Sequence, residues 1–308
     1  MAASFTAAAD GVEPVFSKAV PIAAGFTRPM VISSRTAQGA CTGAIGACVV
    51  VNREGWILTA GHLLELVRAH QESALRHAGY RGNVVEFHRD IAADRRFRRR
   101  GVPTLQKPAE ASVRNHSVWW GIDGARLVEA RVMPAADLAL GRLEPFDPAS
   151  VERYPVWRDP SRVDGPGRSL CKLGFPLHRI EPVFDEKANT FNLPAGSVPL
   201  PLFPLEGMFT RVVNTRAPGS GDGEPSAFIE TSTPSLLGQL GGPLFDADAV
   251  VWGVQSHTMH HALGFRPPVP DGRAGQVEHQ FLNTGLAVHA AVIRRLLDAE
   301  GIEYRAEE

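Results

Sequence analysis

The stretch Gly55-Trp56-Ile57-Leu58-Thr59-Ala60-Gly61-His62 decides how this chain folds. An apolar run that opens on glycine reads as a short buried strand, and small residues then turn the chain into a histidine. The rest of the 308 residues is punctuated in the same way, by apolar runs broken at Gly, Pro, Asn and Asp. Working outward from Gly55–Thr59, the runs upstream are Ile45–Val51, Met30–Ser33 and Lys18–Ala24. Downstream come Leu127–Met133, Leu138–Leu143, Ser169–Gly174, Met208–Asn214, Ala227–Thr231, Pro243–Phe245, Val250–Gln255 and Thr284–Val288. Many short strands with turn signals between them predict an all-β sandwich or barrel rather than alternating strands and helices. No internal repeat of fixed period accompanies them.

Two segments break the strand rhythm. Leu63–His77 carries apolar residues at Leu63, Leu66, Val67, Ala74 and Leu75, close to helical spacing. Near the end, Ala290, Ile293, Leu296 and Leu297 form one apolar stripe, with Gly301 placed as a helix stop. Residues 1–14 are Ala-rich and read as a loose arm. Pro182–Pro225 reads as long loops around one strand, with Gly219–Pro225 as a turn or flexible tip. Arg89–Gly101 holds six arginines within thirteen residues. A solvated insertion is favoured there over a docking patch for nucleic acid or an acidic partner, because the chain as a whole is neutral.

That neutrality is set by 32 basic against 33 acidic residues, a net charge of −1, with 44% hydrophobic and 21% charged residues. Such composition belongs to a globular chain and argues against a surface wholly given to nucleic acid or membrane. No run approaches the roughly 20 apolar residues of a membrane span, and no secretory leader is visible. Three cysteines, Cys41, Cys48 and Cys171, make no disulfide framework. The expectation is a soluble, reduced, cytoplasmic protein of two lobes.

Three separated motifs carry chemistry. Beside the opening stretch stand Ala136–Leu143 (ADLALGRL), an aspartate opening an apolar strand, and Gly238–Asp246 (GQLGGPLFD), a glycine-rich turn entering a strand. Acyl transfer needs a nucleophile beside a base, a carboxylate to orient that base, and backbone N–H groups aimed at the developing oxyanion. His62 and Asp137 suit the base and its carboxylate, and an unobstructed glycine backbone suits the oxyanion donors.

On these motifs the chain resembles the trypsin-like, chymotrypsin-fold serine proteases, and the HtrA-like branch more than the digestive enzymes. GWILTAGH resembles the family's histidine motif and ADLALGRL its aspartate motif. Ala227–Phe245 is similar to the segment leading through the nucleophile loop, Trp252–Thr258 to the strand lining the substrate cleft, and Cys171–Pro176 to an early strand of the second barrel. The order is that of the family, and the matches span residues 40 to 298. The resemblance implies a double antiparallel β-barrel with a C-terminal helix and a helical, basic insertion in the first barrel. The expected divisions are a first barrel over 15–145 with its insertion at about 63–119, a second over 165–289, and the helix over 290–301. The insertion, set by a 75-residue gap between His62 and Asp137, is the candidate partner-docking surface, around Arg89–Gly101.

The family writes its nucleophile loop G-x-S-G-G-P, and here Leu240 occupies the serine position. A leucine has no proton to give His62 and no lone pair to attack with; losing that nucleophile costs on the order of a millionfold in turnover. By the resemblance, Gly238 and Leu240 are the oxyanion-hole positions, and Pro234, Ser235, Ser256 and His257 lie in the substrate cleft. Ser232, Thr233 and Ser235 would sit along the pocket wall, poorly placed to replace the nucleophile. Cys48 and Cys171 read as buried thiols. Pro234 replaces the acidic residue that selects basic side chains, which implies an apolar or shallow pocket. The backbone at Ser256 and His257 would pair with an extended peptide, a binding mode that needs no nucleophile. The histidines of Ser256–His261 read as a surface loop, and no metal or cofactor is expected. The leading expectation is a catalytically dead protease homologue that holds a peptide or protein in its cleft. The alternative is an active serine endopeptidase whose residue 240 has been substituted.

Overall fold

The computed structural model describes residues 13–93, 108–162, 165–215, 226–267 and 277–308. The chain enters through helix α1 (Ala19–Phe26) and strands β1 (Thr27–Thr36), β2 (Cys41–Val50) and β3 (Trp56–Ala60). Helix α2 (Gly61–Ala93) follows, then β4 (Val113–Trp119), β5 (Arg126–Met133) and β6 (Leu138–Glu144). These strands form one sheet in the order β4-β1-β2-β3-β6-β5. The second half begins with β7 (Val156–Trp157), β8 (Ser169–Gly174) and a hairpin of β9 (Val183–Asp185) and β10 (Thr190–Asn192). It continues through β11 (Phe203–Thr215), β12 (Ser226–Thr231), β13 (Pro243–Phe245), β14 (Val250–Ala262) and β15 (Phe281–His289) to helix α3 (Ala290–Ala299) and β16 (Arg305–Ala306). The order β13-β8-β11-β12-β15-β14 returns on itself because β13 also pairs with β14. The fold is therefore all-β, a chymotrypsin-like double barrel carrying a C-terminal helix.

The registers of two strand pairs set the site. Antiparallel β3 and β6 end with Ala60 opposite Leu138, which brings the next residues, Gly61 and His62, beside Asp137. The Gly61 N–H donates to the Asp137 carbonyl at 2.9 Å. In the second barrel Pro243 faces Val254, so the loop before Pro243 lies against the residues after Val254. Gly241 N donates to Gln255 O and Gln255 N to Gly242 O, each at 2.8 Å. Beneath this a buried core that includes Phe26, Leu58, Leu140, Trp157 and Phe245 runs through both halves.

Several sequence expectations need correction. Lys18–Ala24 is not a strand: α1 covers Ala19–Phe26 and buries Ala19, Ala23 and Phe26. A short apolar run does not distinguish a buried helix from a buried strand, and Pro21 falls in the first turn, where its missing N–H costs nothing. The histidines of Ser256–His261 do not form a loop, since β14 runs unbroken to Ala262 with His257 opposite Leu286 and His261 opposite Leu282. The helix expected over Leu63–His77 runs on to Ala93. Val113–Trp119, read as part of an insertion, is a strand on the edge of the first sheet, with Trp119 opposite Val31. Its polar Arg114, Asn115, His116 and Ser117 hid it. Its neighbour α2 docks there through Ser73, whose hydroxyl donates to Val113 O at 2.7 Å, and through His77, bonded to Ser112 at 2.8 Å. Pro182–Pro225 holds β9, β10 and β11 rather than one strand. Of Arg89–Gly101, residues 94–101 lie outside the described residues, as do the arm over 1–12 and the tip Gly219–Pro225. Gly301 stands where a stop was expected, with φ +67° after α3.

Candidate active site

Asp137 holds the histidine from three sides. It stands between a single 3-10 turn (Pro134–Ala136) and β6, with a left-handed backbone at φ 47° and ψ 42°. That turn points its carboxylate back at β3. Oδ1 accepts the His62 backbone N–H at 2.8 Å, and the His62 ring Nδ1 lies 3.0 Å from Oδ1 and 3.1 Å from Oδ2. A carboxylate can only accept, so Nδ1 carries the proton and Nε2 is left as the basic nitrogen. The hydrogen bond that His62 donates to Asp137 pushes the His62 pKa up, against the opposing pull of burial. Burial by itself would raise the Asp137 pKa, but hydrogen bonds from His62 and Ser256 overcome it and hold the carboxyl below its usual range.

A fourth residue joins from the second barrel. The Ser256 hydroxyl donates to Asp137 Oδ2 at 2.5 Å, and His257 Nδ1 lies 2.8 Å from the same hydroxyl. Having spent its one proton on Asp137, Ser256 must accept from His257, which fixes the Nδ1–H tautomer there as well. Burial lowers the pKa of His257, favouring the neutral ring. From sequence, Ser256 reads only as a backbone partner, because nothing in WGVQSHT signals that its side chain crosses to the other barrel.

The glycine loop is packed backbone against backbone. Gly238 has φ +92° and Gly241 φ +84°. A Cβ on Gly241 would collide with the Ala47 carbonyl, and one on Gly238 with the Phe175 carbonyl. Only glycine meets both demands. Leu240 between them is half-buried and packs against the core, and its carbonyl accepts from Ala47 N at 2.8 Å, a second tie between the barrels. Leu240 and His62 line one cleft of about 660 Å³, and Pro234, Ser235, Ser256 and His257 line it too. Leu237, His260 and Asn283 also reach this cleft, and the sequence had not singled them out as cleft residues. His260 Nδ1 lies 2.7 Å from Asn283 Oδ1 across β14 and β15, and that pairing was unreadable while β14 was expected to end at Gln255.

The other groups weighed from the sequence are occupied elsewhere. Ser232 Oγ accepts from Met208 N at 2.9 Å, and the Thr233 hydroxyl donates to Glu206 O at 3.0 Å. Cys48 and Cys171 are buried thiols whose pKa values burial pushes up to about 12, so neither ionises readily.

A histidine oriented by a carboxylate, set in a cleft between two β-barrels beside a glycine-rich loop, is the arrangement of a chymotrypsin-like scaffold. The chain belongs to the trypsin-like peptidase family: the family's Trypsin-like peptidase domain matches residues 46–254. No curated protein matches the chain in sequence. Among solved structures, the chain is similar to the HtrA-type protease AlgW with a tripeptide, at 14% identity and a TM-score of 0.44, covering 92% of this chain and 62% of that one. It is also similar to the Rv3671c protease from M. tuberculosis in its active form, at 12% identity and a TM-score of 0.48, covering 100% and 97%. Among the described residues, no helix is long and apolar enough to cross a membrane.

Proposed function

We propose that this chain is a non-cleaving trypsin-like protein that holds an extended peptide, or a segment of a partner protein, in the cleft between its barrels, working in the cytoplasm. One observation carries the reading. Leu240 stands at the nucleophile position and lines the same cleft as His62, so the base has no hydroxyl at that position to deprotonate. The isobutyl group occupies space that a scissile carbonyl would need, which also disfavours attack by water. Binding needs none of the missing chemistry. A peptide laid along β14 would gain backbone hydrogen bonds whether or not it is cut.

A second reading rests on the oriented base. The bonds among His62, Asp137 and Ser256 are those an active serine endopeptidase would use, with serine at 240 as nucleophile. One paired measurement separates the two: peptidase turnover and fluorophosphonate labelling of the chain and of Leu240→Ser. The first reading expects no turnover and no label in the chain itself, and measurable activity there would sink it. A folded but inert Leu240→Ser would sink the second.

A further inference from the structure

The wall of the cleft carries two features that peptide cleavage does not explain. The first is Ser235, 8% exposed, a residue of the cleft lining whose hydroxyl is buried and has no hydrogen-bond partner. A buried hydroxyl left unpaired is costly, so such a group calls for a ligand. The second is Lys172 on β8, 1% exposed and placed directly behind that wall. Its ammonium donates to Thr233 O, to Thr233 Oγ1 at 2.9 Å and to Pro234 O at 2.9 Å. The Thr233 hydroxyl spends its own proton on Glu206 O, so it can only accept from Lys172. Three acceptors around one nitrogen require three protons, so the site is built for the charged form.

That charge has no counter-ion. Its partners are two carbonyls and a hydroxyl, and among the described residues no carboxylate pairs with it. Burial pulls the Lys172 pKa down to about 7, the cost of an unpaired cation in a low-dielectric wall. A Cβ built on Gly285 would stand 2.8 Å from Lys172 Nζ and 3.0 Å from Ser235 N, so the cation and the serine flank the same point. The cleft lining includes no acidic side chain, and the nearby Asp137 carboxylate is already held by His62 and Ser256. A positive potential behind an unpaired donor, with no competing acid in the lining, complements a carboxylate and rejects a cation.

We infer that the cleft selects peptides bearing an acidic side chain, a glutamate or aspartate that accepts from Ser235 and neutralises Lys172 through the wall. The sequence had implied an apolar or shallow pocket from Pro234 alone; Lys172 and Ser235 give that pocket a polar, cationic floor. This inference rests on the peptide-binding reading above and is tested by anisotropy of a short fluorescein-labelled alanine-rich peptide with Glu, Gln, Leu or Lys at one internal position. At pH 6, below the value of about 7 to which burial brings Lys172, the Glu peptide is expected to bind about tenfold more tightly than its Gln counterpart, with Lys weakest. That advantage should vanish in Lys172→Met and shrink in Ser235→Ala, read in each variant as the ratio of Glu-peptide to Gln-peptide affinity. Equal binding of the Glu and Gln peptides would overturn the acidic preference and leave the peptide-binding reading standing. A preference that survives Lys172→Met would remove that residue from the account. Failure of all four peptides would overturn both readings. Should Lys172→Met not fold, as judged by circular dichroism, the Glu-to-Gln ratio and Ser235→Ala still decide.

Discussion

His62, Asp137, Ser256 and His257 share a continuous run of hydrogen bonds that crosses from one barrel to the other. Leu240, in the same cleft lining, offers an isobutyl group between two glycines that have no room for a Cβ. The first set is held by polar geometry and the second by close packing. The difference separates two things that a triad usually joins. The base and its carboxylate are oriented by bonds that also fasten the barrels together, so their geometry has a structural cause that needs no turnover. The loop is held by its glycines, so its shape does not depend on what side chain stands at 240.

The largest effect that would break this comparison lies in the loop. Gly241→Ala places a Cβ against the Ala47 carbonyl at a positive φ, and thermal or urea unfolding should show a loss of about 3 kcal/mol. A loss under about 1 kcal/mol would mean that the loop relaxes freely and is not held by packing. Next comes the carboxylate. Asp137→Asn keeps the shape but removes the charge, and should cost about 2 kcal/mol at pH 7. In an NMR titration the His62 midpoint should move down in that variant, because its raised value depends first on the Asp137 hydrogen bond; an unmoved midpoint would disconnect the two residues.

The pair also has a pH window. His62 has a raised pKa, so its contribution is full below the ordinary value of 6.5 and is lost as pH rises through the folded value. Asp137 has a lowered pKa, so its contribution is full above the ordinary 3.8 and is lost as pH falls through the folded value. A double-mutant cycle between them should therefore give stronger coupling at pH 5.5 than at pH 8.5, and the reverse order would contradict the assignment. Ser256→Ala should cost a smaller amount, about 1 kcal/mol, for one bond to the carboxylate. The smallest effect is expected for Leu240→Ser, under about 1 kcal/mol, because the residue is only half-buried and the loop backbone holds itself. A much larger loss would show that the leucine, rather than the glycines, holds the loop.

The parts of this molecule that could be read from sequence are those in which one short segment contains its own instructions. GWILTAGH is a strand, a turn and a histidine in eight residues, and β8 and β13 begin and end where their apolar runs do. What escaped depends on partners far along the chain. Val113–Trp119 is half-buried and polar, and becomes a strand because β1 offers it an edge. The Ser256 hydroxyl reaches an aspartate 119 residues away. Lys172 left a signal that could have been followed: a charged residue amid the apolar SLCKLG run, at a strand position that must be buried, needs acceptors. Those acceptors lie 61 and 62 residues downstream, and no local pattern names them.

The closure of the second barrel by β13 has one more consequence. This strand is three residues long, follows the glycine loop at once, and is laddered to β8 on one side and β14 on the other. To swing the loop away, the molecule would have to unzip both ladders and open the ring. The amides of Leu244 and Phe245 should then exchange with deuterium slowly, and rapid exchange there would show that the loop beside residue 240 opens on its own.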